Sequence, residues 1–401
     1  MMRIGVDIGG TFTDITGLDD AGAFHIVKLP STPDDQSVAL RDGVARLLAD
    51  TDERAANVDY LGHGTTVATN TLLELDGCRT ALVVTEGFRD ILEIGRQQRP
   101  HLYDLTTQKP RVLVPRRLVF EVPERISASG EVLTELEPAA IDALIAEIAA
   151  ADVESVAICL LHSYRDAAHE LRLAEAIEKA LPGLYVSRSS AVAPEFREYE
   201  RTSTTVINAY VGPRMARYVS RLADRASGLG IPVSPKIIQS SGGLVSPAVV
   251  TRRPVSTLLS GPSAGVIGAA WIAGRSGFRN LITFDMGGTS TDVCLVRDGE
   301  ALTMGERSIE GYIVRVPSVS VHTVGAGGGS IAAVDGAGGL SVGPRSAGAV
   351  PGPAAYGRGG TAATVTDANV VLQRQNPADR LGSSALPLDV AAAEAAGQAV
   401  A

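Results

Sequence analysis

Two copies of one glycine-rich pattern contain the residues of this sequence that are best placed to do chemistry. Residues 7–14 read Asp-Ile-Gly-Gly-Thr-Phe-Thr-Asp and residues 285–292 read Asp-Met-Gly-Gly-Thr-Ser-Thr-Asp, so six of eight positions agree. Successive backbone N–H groups in a tight glycine turn form a concave site for an anion, and threonine hydroxyls add donors. A carboxylate that ends the leading strand is suited to a hydrated Mg²⁺. The pattern therefore predicts a site for phosphate together with magnesium.

The repeated pattern assigns a role to each polar residue. Asp7 and Asp285 are expected to hold Mg²⁺ through water, as metal-binding and catalytic residues. The phosphate oxygens are expected to bind N–H and hydroxyl groups of Gly9, Gly10, Thr11, Gly287, Gly288, Thr289 and Ser290, with assistance from Thr13. Asp14 and Asp292 fit a supporting or structural role better. One such turn could equally be an ordinary hairpin, but two distant copies are better explained by two related half-domains that face one nucleotide.

Further candidates lie in two other stretches of small residues. His63 lies between glycines and beside Thr65 and Thr66, so it could act as a catalytic residue facing a phosphate acceptor or the γ-phosphate. The alternative is a histidine that is hydrogen-bonded within its loop. Gly327 and Gly328 could line the nucleotide or substrate cleft, or could form a purely structural turn.

The elements around these residues predict an α/β fold with a mixed sheet, because helical and strand patterns alternate along the chain. Both turns are expected between two strands, since apolar runs lead into and out of each copy. The predicted helices cover about residues 35–49, 139–150, 167–181, 195–228 and 259–270, and the predicted strands cover about residues 80–85, 153–160, 184–187 and 236–239. We place a boundary between two domains, residues 1–194 and 195–401, just before the long helix. Glycine- and proline-rich stretches such as residues 343–348 are expected to form ordered loops without regular structure.

Composition narrows the classes of partner. The net charge of −9 and the pI near 5.3 argue against a nucleic-acid or anionic-membrane surface. No apolar stretch is long enough to span a bilayer, and Arg3 and Asp7 interrupt the apolar N-terminal run, so we expect neither a membrane segment nor a signal peptide. The three cysteines are widely separated and predict no disulfide framework. We therefore expect a cytoplasmic protein.

The sequence resembles the hydantoinase A/oxoprolinase family, within the superfamily of actin, sugar kinases and heat-shock chaperones. The resemblance spans essentially the whole chain and rests on both turns, on residues 62–70 (Gly-His-Gly-Thr-Thr-Val-Ala-Thr-Asn), on residues 322–330 (His-Thr-Val-Gly-Ala-Gly-Gly-Gly-Ser) and on residues 342–369. It implies two actin-like ATPase (ribonuclease H-like) half-domains, with mixed sheets flanked by helices, that straddle ATP and Mg²⁺. The chain departs from the family at Ala355, where members usually carry a cysteine.

The resemblance also implies an activity, namely ATP-dependent hydrolysis of a cyclic amide such as 5-oxoproline or a hydantoin. Phosphorylation of the amide oxygen would make the ring carbon electrophilic, and a hydantoinase B-type subunit or fused domain would act as partner. The alternatives are the nucleotide-binding subunit of an ATP-dependent ketone carboxylase, a chaperone-like ATPase without covalent chemistry, and an inactive fragment. Chains of the family continue through a later glycine pair that resembles an adenosine-binding motif. We therefore expect this chain to be truncated at its C-terminus, with its second domain incomplete and the adenosine end of the site beyond Ala401.

Overall fold

Several β-sheets flanked by helices build a mixed α/β architecture, as the alternating pattern predicted. The computed structural model describes residues 1–9, 12–32, 35–99, 103–104, 106–348, 350–377 and 387–400. The predictions made for Gly10 and Thr11 therefore lie outside the described residues. Across the described ranges, every helix is too short or too polar to serve as a transmembrane segment.

The helices and strands are numbered here in chain order. The helices are α1 (Gln36–Asp50), α2 (Val67–Leu73), α3 (Ile91–Ile94), α4 (Pro138–Ala150), α5 (Ala168–Ala180), α6 (Ser189–Val192), α7 (Glu198–Gly228), α8 (Pro247–Arg252), α9 (Ser260–Arg275), α10 (Val365–Val371) and α11 (Val390–Gln398). The strands are β1 (Met2–Ile8), β2 (Phe12–Asp19), β3 (Phe24–Pro30), β4 (Val58–Thr65), β5 (Thr80–Thr85), β6 (Val119–Val122), β7 (Arg125–Ile126), β8 (Val132–Thr134), β9 (Ser155–Cys159), β10 (Tyr185–Arg188), β11 (Lys236–Ile238), β12 (Leu244–Val245), β13 (Leu281–Met286), β14 (Thr291–Arg297), β15 (Glu300–Ala301), β16 (Thr303–Met304), β17 (Arg307–Ile309), β18 (Tyr312–Val314), β19 (Ser318–Val319), β20 (His322–Val324), β21 (Ser330–Val334) and β22 (Leu340–Ser346). Short 3₁₀ turns cover Ala55–Asn57, Arg116–Leu118, Pro254–Thr257 and Ala354–Tyr356.

The first glycine turn belongs to a six-stranded sheet, called here the first sheet, with the order β12-β11-β4-β1-β2-β3. Strand β1 pairs antiparallel with β2, which places Asp7 opposite Asp14, and parallel with β4, which places Asp7 beside Gly64. Successive side chains of a strand point to opposite faces. Ile4 and Ile8 are therefore buried in the core, whereas Asp7 points to the other face of the sheet.

A second, four-stranded sheet is parallel throughout and has the order β10-β9-β5-β6. All six residues of β5 are buried, which confirms the buried strand predicted from its continuous apolar run. Helices α4 and α5 cover one face through residues such as Ile141 and Leu173, and α7 covers the other through Val206 and Ala209.

Helix α7 joins these two sheets into one body. It is 31 residues long and passes through Pro213 without a break, so the possible kink does not end the helix. Tyr218 and Leu222 pack into the core of the first sheet, while Val206 packs against the parallel sheet. Strand β11 also pairs with β4. Residues 198–245 thus share a core with residues 2–65, and the boundary before residue 195 stays a sequence-based prediction.

The second glycine turn belongs to a third sheet with the order β13-β14-β15, to which β20 adds by pairing with β14. Strands β13 and β14 are antiparallel and place Asp285 opposite Asp292. Helix α9 covers one face, where Val266 packs with Cys294 and Val296. Both glycine turns therefore connect antiparallel strands, as the flanking apolar runs predicted.

The expectation of irregular structure is wrong for residues 343–346, which belong to the strand at residues 340–346. These residues form β22, which pairs antiparallel with β21. Gly343 adopts a φ of 77°, which glycine tolerates. The register shifts between Ser330 and Ala332, so Pro344 lies in an irregular part of the ladder where it has no paired residue.

The close packing of α1 on the first sheet depends on Gly43. A Cβ atom at this position would lie 2.1 Å from Ile15 Cδ1 and 2.8 Å from Leu29 Cδ2. We expect Gly43→Ala to lower the free energy of unfolding by about 1–3 kcal/mol because the core would be overpacked. Urea denaturation followed by circular dichroism measures this change. The matched control is Gly268→Ala in α9, where no heavy atom lies within 4 Å of the added Cβ, and equal losses in both variants would contradict the prediction.

Candidate functional site

The two glycine turns share one backbone hydrogen bond. The Gly9 N–H donates to the Phe12 carbonyl at 3.0 Å, and the Gly287 N–H donates to the Ser290 carbonyl at 2.9 Å. These bonds join equivalent positions of the two sequence copies, so the repeat is also structural. The amides of Gly9 and Gly287 close the turns and are not available to a ligand.

A buried threonine supports the backbone of the first turn through a hydrogen-bonded serine. Thr13 is fully buried, and its hydroxyl lies 3.0 Å from the Ser31 hydroxyl, which donates to the Gly9 carbonyl at 2.7 Å. Because the Ser31 proton is used on Gly9, Thr13 must be the donor in the first bond. Thr13 therefore supports the turn through Ser31 and does not reach the ligand side.

The second turn presents free amide groups because a glycine loop binds its carbonyls. Gly328 N–H donates to the Gly287 carbonyl at 2.9 Å, and Gly329 N–H donates to the Gly288 carbonyl at 2.6 Å. In a trans peptide the C=O and the following N–H point in opposite directions. The N–H groups of Gly288 and Thr289 therefore point away from the loop, and no described residue accepts a hydrogen bond from either.

The glycine loop itself lies directly against this turn. A Cβ on Gly327 would come within 2.7 Å of backbone atoms of Thr289 and Ser290. The Gly327 N–H donates to Ser330 Oγ at 2.8 Å, and the Gly328 N–H is used as described above. These contacts favour the structural alternative for Gly327 and Gly328, since neither amide is available to line the cleft.

The first two helical turns of α9 lie beside the aspartates of both glycine turns. A Cβ on Gly261 would lie 3.9 Å from Asp7 Oδ1, and a Cβ on Gly265 would lie 3.8 Å from Asp285 Oδ2. Residues four apart share one face of a helix, so both carboxylates lie along the same face of α9. On the other side, a Cβ on Gly64 would lie 3.1 Å from Asp7 Oδ1. Sequence analysis did not single out these three glycines, although the spacing of Gly261 and Gly265 was a usable signal.

Residues of the 62–70 segment fix the start of α9. The Ser260 hydroxyl donates to the Thr65 carbonyl at 3.0 Å, and the Leu259 N–H donates to Thr69 Oγ1 at 2.8 Å. Leu259 takes a left-handed φ of 57°, which turns the chain into the helix. The first turn of a helix carries partial positive charge and favours anions. The segment thus fixes the N-terminal part of α9, along whose side the two carboxylates lie.

The aspartates carry unbalanced negative charge. Desolvation raises the pKa of the Asp7 carboxyl, and the charges of Asp14 and Asp285 raise it further, while Lys28 opposes them. Lys28 is engaged by Asp14 at 2.7 Å. Asp292 accepts a hydrogen bond from Thr323 Oγ1 at 2.6 Å. These contacts give Asp14 and Asp292 local partners, whereas Asp7, whose carboxyl pKa is raised, has no ion-pair partner among the described residues.

The site fits a weakly held magnesium ion better than a metal centre made only of protein ligands. Among the described residues, no three His, Cys, Asp or Glu side chains converge as a metal site. Mg²⁺ is commonly bound by one or two carboxylates together with water and substrate phosphates. Asp7 and Asp285 are two carboxylates that could hold such an ion, and the free amides of the second turn are donors that could bind phosphate oxygens.

His63 lies away from these groups. It pairs with Val6 in the β1–β4 register, so its ring points to the face of the first sheet opposite to Asp7. The ring is fully buried, with Nδ1 3.3 Å from the Val6 carbonyl and Nε2 2.5 Å from the Tyr218 hydroxyl. The carbonyl can only accept, so Nδ1 carries the proton and Nε2 accepts from Tyr218. The structure therefore does not place His63 where it could face a phosphate acceptor or the γ-phosphate, and we exclude it from the catalytic residues.

The burial of His63 makes stability depend on pH. Desolvation lowers the pKa of His63 from its ordinary value of 6.5 to about 4. The unfolded chain therefore binds the proton more readily, and the stability that the neutral ring contributes is present above pH 6.5 and is lost as the pH falls toward 4. We expect this histidine to account for a loss on the order of 3 kcal/mol in the free energy of unfolding.

Urea denaturation at several pH values tests this linkage. His63→Gln is expected to lose stability less steeply than the wild type between pH 6.5 and 4, because the titrating group is absent. His322→Gln, which alters an exposed histidine, is the control and is expected to keep the wild-type slope. Identical slopes for all three proteins would contradict a buried neutral His63.

Comparison with known proteins identifies two family models along the chain. The model described as hydantoinase/oxoprolinase matches residues 201–401, and the model described as hydantoinase/oxoprolinase N-terminal region matches residues 3–181. The caprolactamase subunit alpha of Pseudomonas jessenii is 42% identical over 377 residues, which cover 92% of this chain and 54% of that protein. The 5-oxoprolinase of Saccharomyces cerevisiae is 35% identical over 419 residues, covering 94% of this chain and 32% of that protein.

Two solved structures that match the chain identify its fold. The crystal structure of ATP-dependent caprolactamase from Pseudomonas jessenii matches with a TM-score of 0.88 and 40% identity, over 98% of this chain and 58% of that one. A nucleotide-free acetone carboxylase, from work on ATP-dependent acetone carboxylation, matches with a TM-score of 0.81 and 28% identity, over 100% of this chain and 58% of that one. The fold is thus a two-lobed ATPase-like one, and the chain spans a third to somewhat over half of these relatives.

Proposed function

Because the chain belongs to the hydantoinase/oxoprolinase family, we propose that it is the ATP-using part of an enzyme that opens a cyclic amide. The observation that carries this proposal is the pair of carboxylates, Asp7 and Asp285, held along one face of α9 beside the free amides of the second turn. This arrangement fits a magnesium-bound polyphosphate.

In the proposed reaction the amide oxygen of the substrate accepts the γ-phosphoryl group of ATP. ADP departs as the leaving group of this transfer. Water then adds to the activated ring carbon, the ring C–N bond breaks and the nitrogen is protonated to an amine, which leaves an acyl phosphate. A second water molecule hydrolyses the acyl phosphate to the carboxylate of the ring-opened amino acid and inorganic phosphate. Mg²⁺, when bound, would offset the charge on the phosphate oxygens. Asp7 and Asp285 would orient the water molecules around that ion, while the Gly288 and Thr289 amides would hold phosphate oxygens. The substrate class is a lactam or cyclic imide, such as caprolactam, 5-oxoproline or a hydantoin.

The relatives support a partner subunit, and the free cysteines support a cytoplasmic location. One relative is named as an alpha subunit, so we propose that a hydantoinase B-type subunit, or a fused domain, acts with this chain. The cysteines Cys78, Cys159 and Cys294 are free thiols, which suits a reducing cytoplasm. Neither a nucleic acid nor a membrane is expected as a partner, given the acidic composition.

A second candidate function is the nucleotide-binding subunit of an ATP-dependent ketone carboxylase. The acetone carboxylase structure supports it, because it matches the whole chain. Caprolactamase is closer in both identity and TM-score, which favours the cyclic-amide reaction. The two reactions differ in what stimulates ATP hydrolysis: a lactam in one, and a ketone together with bicarbonate in the other.

Replacement of either carboxylate tests the proposed site. Asp7→Asn and Asp285→Asn are each expected to lower lactam-stimulated ADP release by about 10- to 100-fold, because the ordered shell around the cation is lost. ADP is measured by a coupled assay and the ring-opened amino acid by chromatography, in the presence of the partner subunit.

The control for this assay is Asp224→Asn, which alters an exposed aspartate on α7 far along the chain from both turns. It is expected to retain wild-type turnover. If both site variants hydrolyse ATP as fast as this control, the assignment of Asp7 and Asp285 fails. If ADP release responds to acetone and bicarbonate but not to any lactam, the carboxylase alternative replaces the proposal.

A further inference from the structure

A cavity of about 330 Å³ lies next to the first glycine turn, between helices α1, α2 and α7. Sites for small molecules commonly have volumes of about 300–1,000 Å³, so this cavity suits a ligand at the small end of that range. Its polar lining comes from the segment after β3 and from all three helices, and includes Ser31, Gln36, Thr71, Glu74, Arg217 and Arg221.

The cavity lies on the face of the first sheet that is opposite to Asp7. Tyr218 of α7 lines the cavity and donates to His63, whose ring is on that face. Ser31 also lines the cavity and donates to the Gly9 carbonyl at 2.7 Å. A ligand in this cavity would therefore be separated from the two carboxylates by the sheet, yet it would contact residues that hold the first turn.

Two buried polar groups of the lining lack partners. Thr71 is 1% exposed, and its hydroxyl has no hydrogen-bond partner among the described residues. Gln36 Oε1 is buried and is likewise without a partner in the part of the chain that the structure describes. A buried polar group without a partner is unfavourable, because it loses water and gains no bond in return. A polar ligand in the cavity would supply both missing bonds.

Charged groups of both signs also face this cavity without strong partners. Arg217 and Glu74 line it, and neither side chain has an ion pair or a hydrogen bond among the described residues. The Nη1 atom of Arg221 lies 3.9 Å from Asp35 Oδ2, which Arg225 already holds at 2.7 Å. Two guanidinium groups and one carboxylate can therefore bind a ligand here.

The chemistry of these groups specifies the ligand. An arginine fork matches the two oxygens of a carboxylate, whereas Glu74 and Gln36 Oε1 can only accept and require a donor such as an ammonium group. We propose that this cavity is a second binding site of the protein and that it takes a small amino acid. The carboxylate binds Arg217 and Arg221. The ammonium group binds Glu74 and Gln36, and the Thr71 hydroxyl completes the polar contacts.

The choice of amino acid rests on the proposed function, because opening a cyclic amide yields an amino acid. The product is glutamate if the substrate is 5-oxoproline, and 6-aminohexanoate if the substrate is caprolactam. The cavity would thus hold the product of the reaction outside the active site, in contact with Ser31 and hence with the support of the first turn.

Isothermal titration calorimetry on the intact chain tests this site without requiring turnover, with L-glutamate and 6-aminohexanoate as probes. For each probe that the wild type binds, Arg217→Gln is expected to weaken binding about tenfold or more, because a charged hydrogen-bond donor is removed. Thr71→Val keeps the shape of the side chain and loses only the hydroxyl, so it is expected to weaken the same probe about fivefold. Arg217 is exposed, so its replacement leaves the core intact.

Three controls separate this site from other modes of binding. Arg172→Gln removes an exposed arginine of α5 that is not part of the lining, and it is expected to bind as the wild type does. Asp7→Asn alters the candidate active site on the other face of the sheet and is also expected to keep probe binding. Glutarate, which has the carboxylates of glutamate but no ammonium group, is expected to bind at least about tenfold more weakly than the tighter amino acid.

The outcomes distinguish this inference from the proposed function. Binding that depends on Arg217 and Thr71 but not on Asp7 supports the site, and the tighter probe identifies the ligand. The inference is overturned if the wild type binds neither probe, if Arg217→Gln binds like Arg172→Gln, or if glutarate binds as tightly as either amino acid. It is also overturned if Asp7→Asn abolishes binding, since the amino acid would then occupy the active site. Absence of lactam-stimulated ATP hydrolysis, with binding still dependent on Arg217, would instead overturn the proposed function alone.

Discussion

The placement of two carboxylates against one helix is the constraint on which the candidate site depends. Asp7 and Asp285 come from sheets far apart in sequence, yet both lie against one face of α9. The charge of Asp285 contributes to the raised pKa of the Asp7 carboxyl, because a like charge opposes ionisation. The N-terminal turn of α9 offers a partial offset through its dipole, and a divalent cation would complete it. The fold maintains this unbalanced charge by fixing the helix start to residues 62–70.

Close approach of backbones explains why small residues surround the site. Gly64, Gly261 and Gly265 leave room for carboxylate oxygens, and a Cβ on Gly327 would collide with the second turn. The glycine loop also directs two peptide groups of that turn, so that their N–H groups face outward. Glycine is thus needed at these four positions because other groups approach the backbone closely. None of the four has a positive φ.

The two turns are positioned by different means. The first lies in a sheet whose other face is packed against α1 and α7, so a large apolar core fixes it. The third sheet has α9 on one face, while Ile282 and Phe284 on the other face are 67% and 69% exposed. The second turn depends instead on backbone hydrogen bonds from the glycine loop and on the Thr291 hydroxyl, which donates to the Ala326 carbonyl. Its geometry is therefore set locally rather than by a two-sided core.

The sequence by itself determined the elements and the paired turns, because the signals for these are local. Helix α7, the buried strand β5 and both hairpins with the pattern Asp-x-Gly-Gly-Thr follow from periodicity and spacing. Only the tertiary structure decided which polar groups of those elements face the ligand. Residues 61–65 are all buried, so no alternation reveals the face of His63, and its partner Tyr218 is 155 positions away. Likewise, the sequence does not distinguish the role of Gly287 from that of Gly288. The Gly287 amide closes the turn on Ser290, whereas the Gly288 amide stays free because Gly328, in a distant segment, binds the carbonyl of the same peptide group. No local pattern encodes that contact.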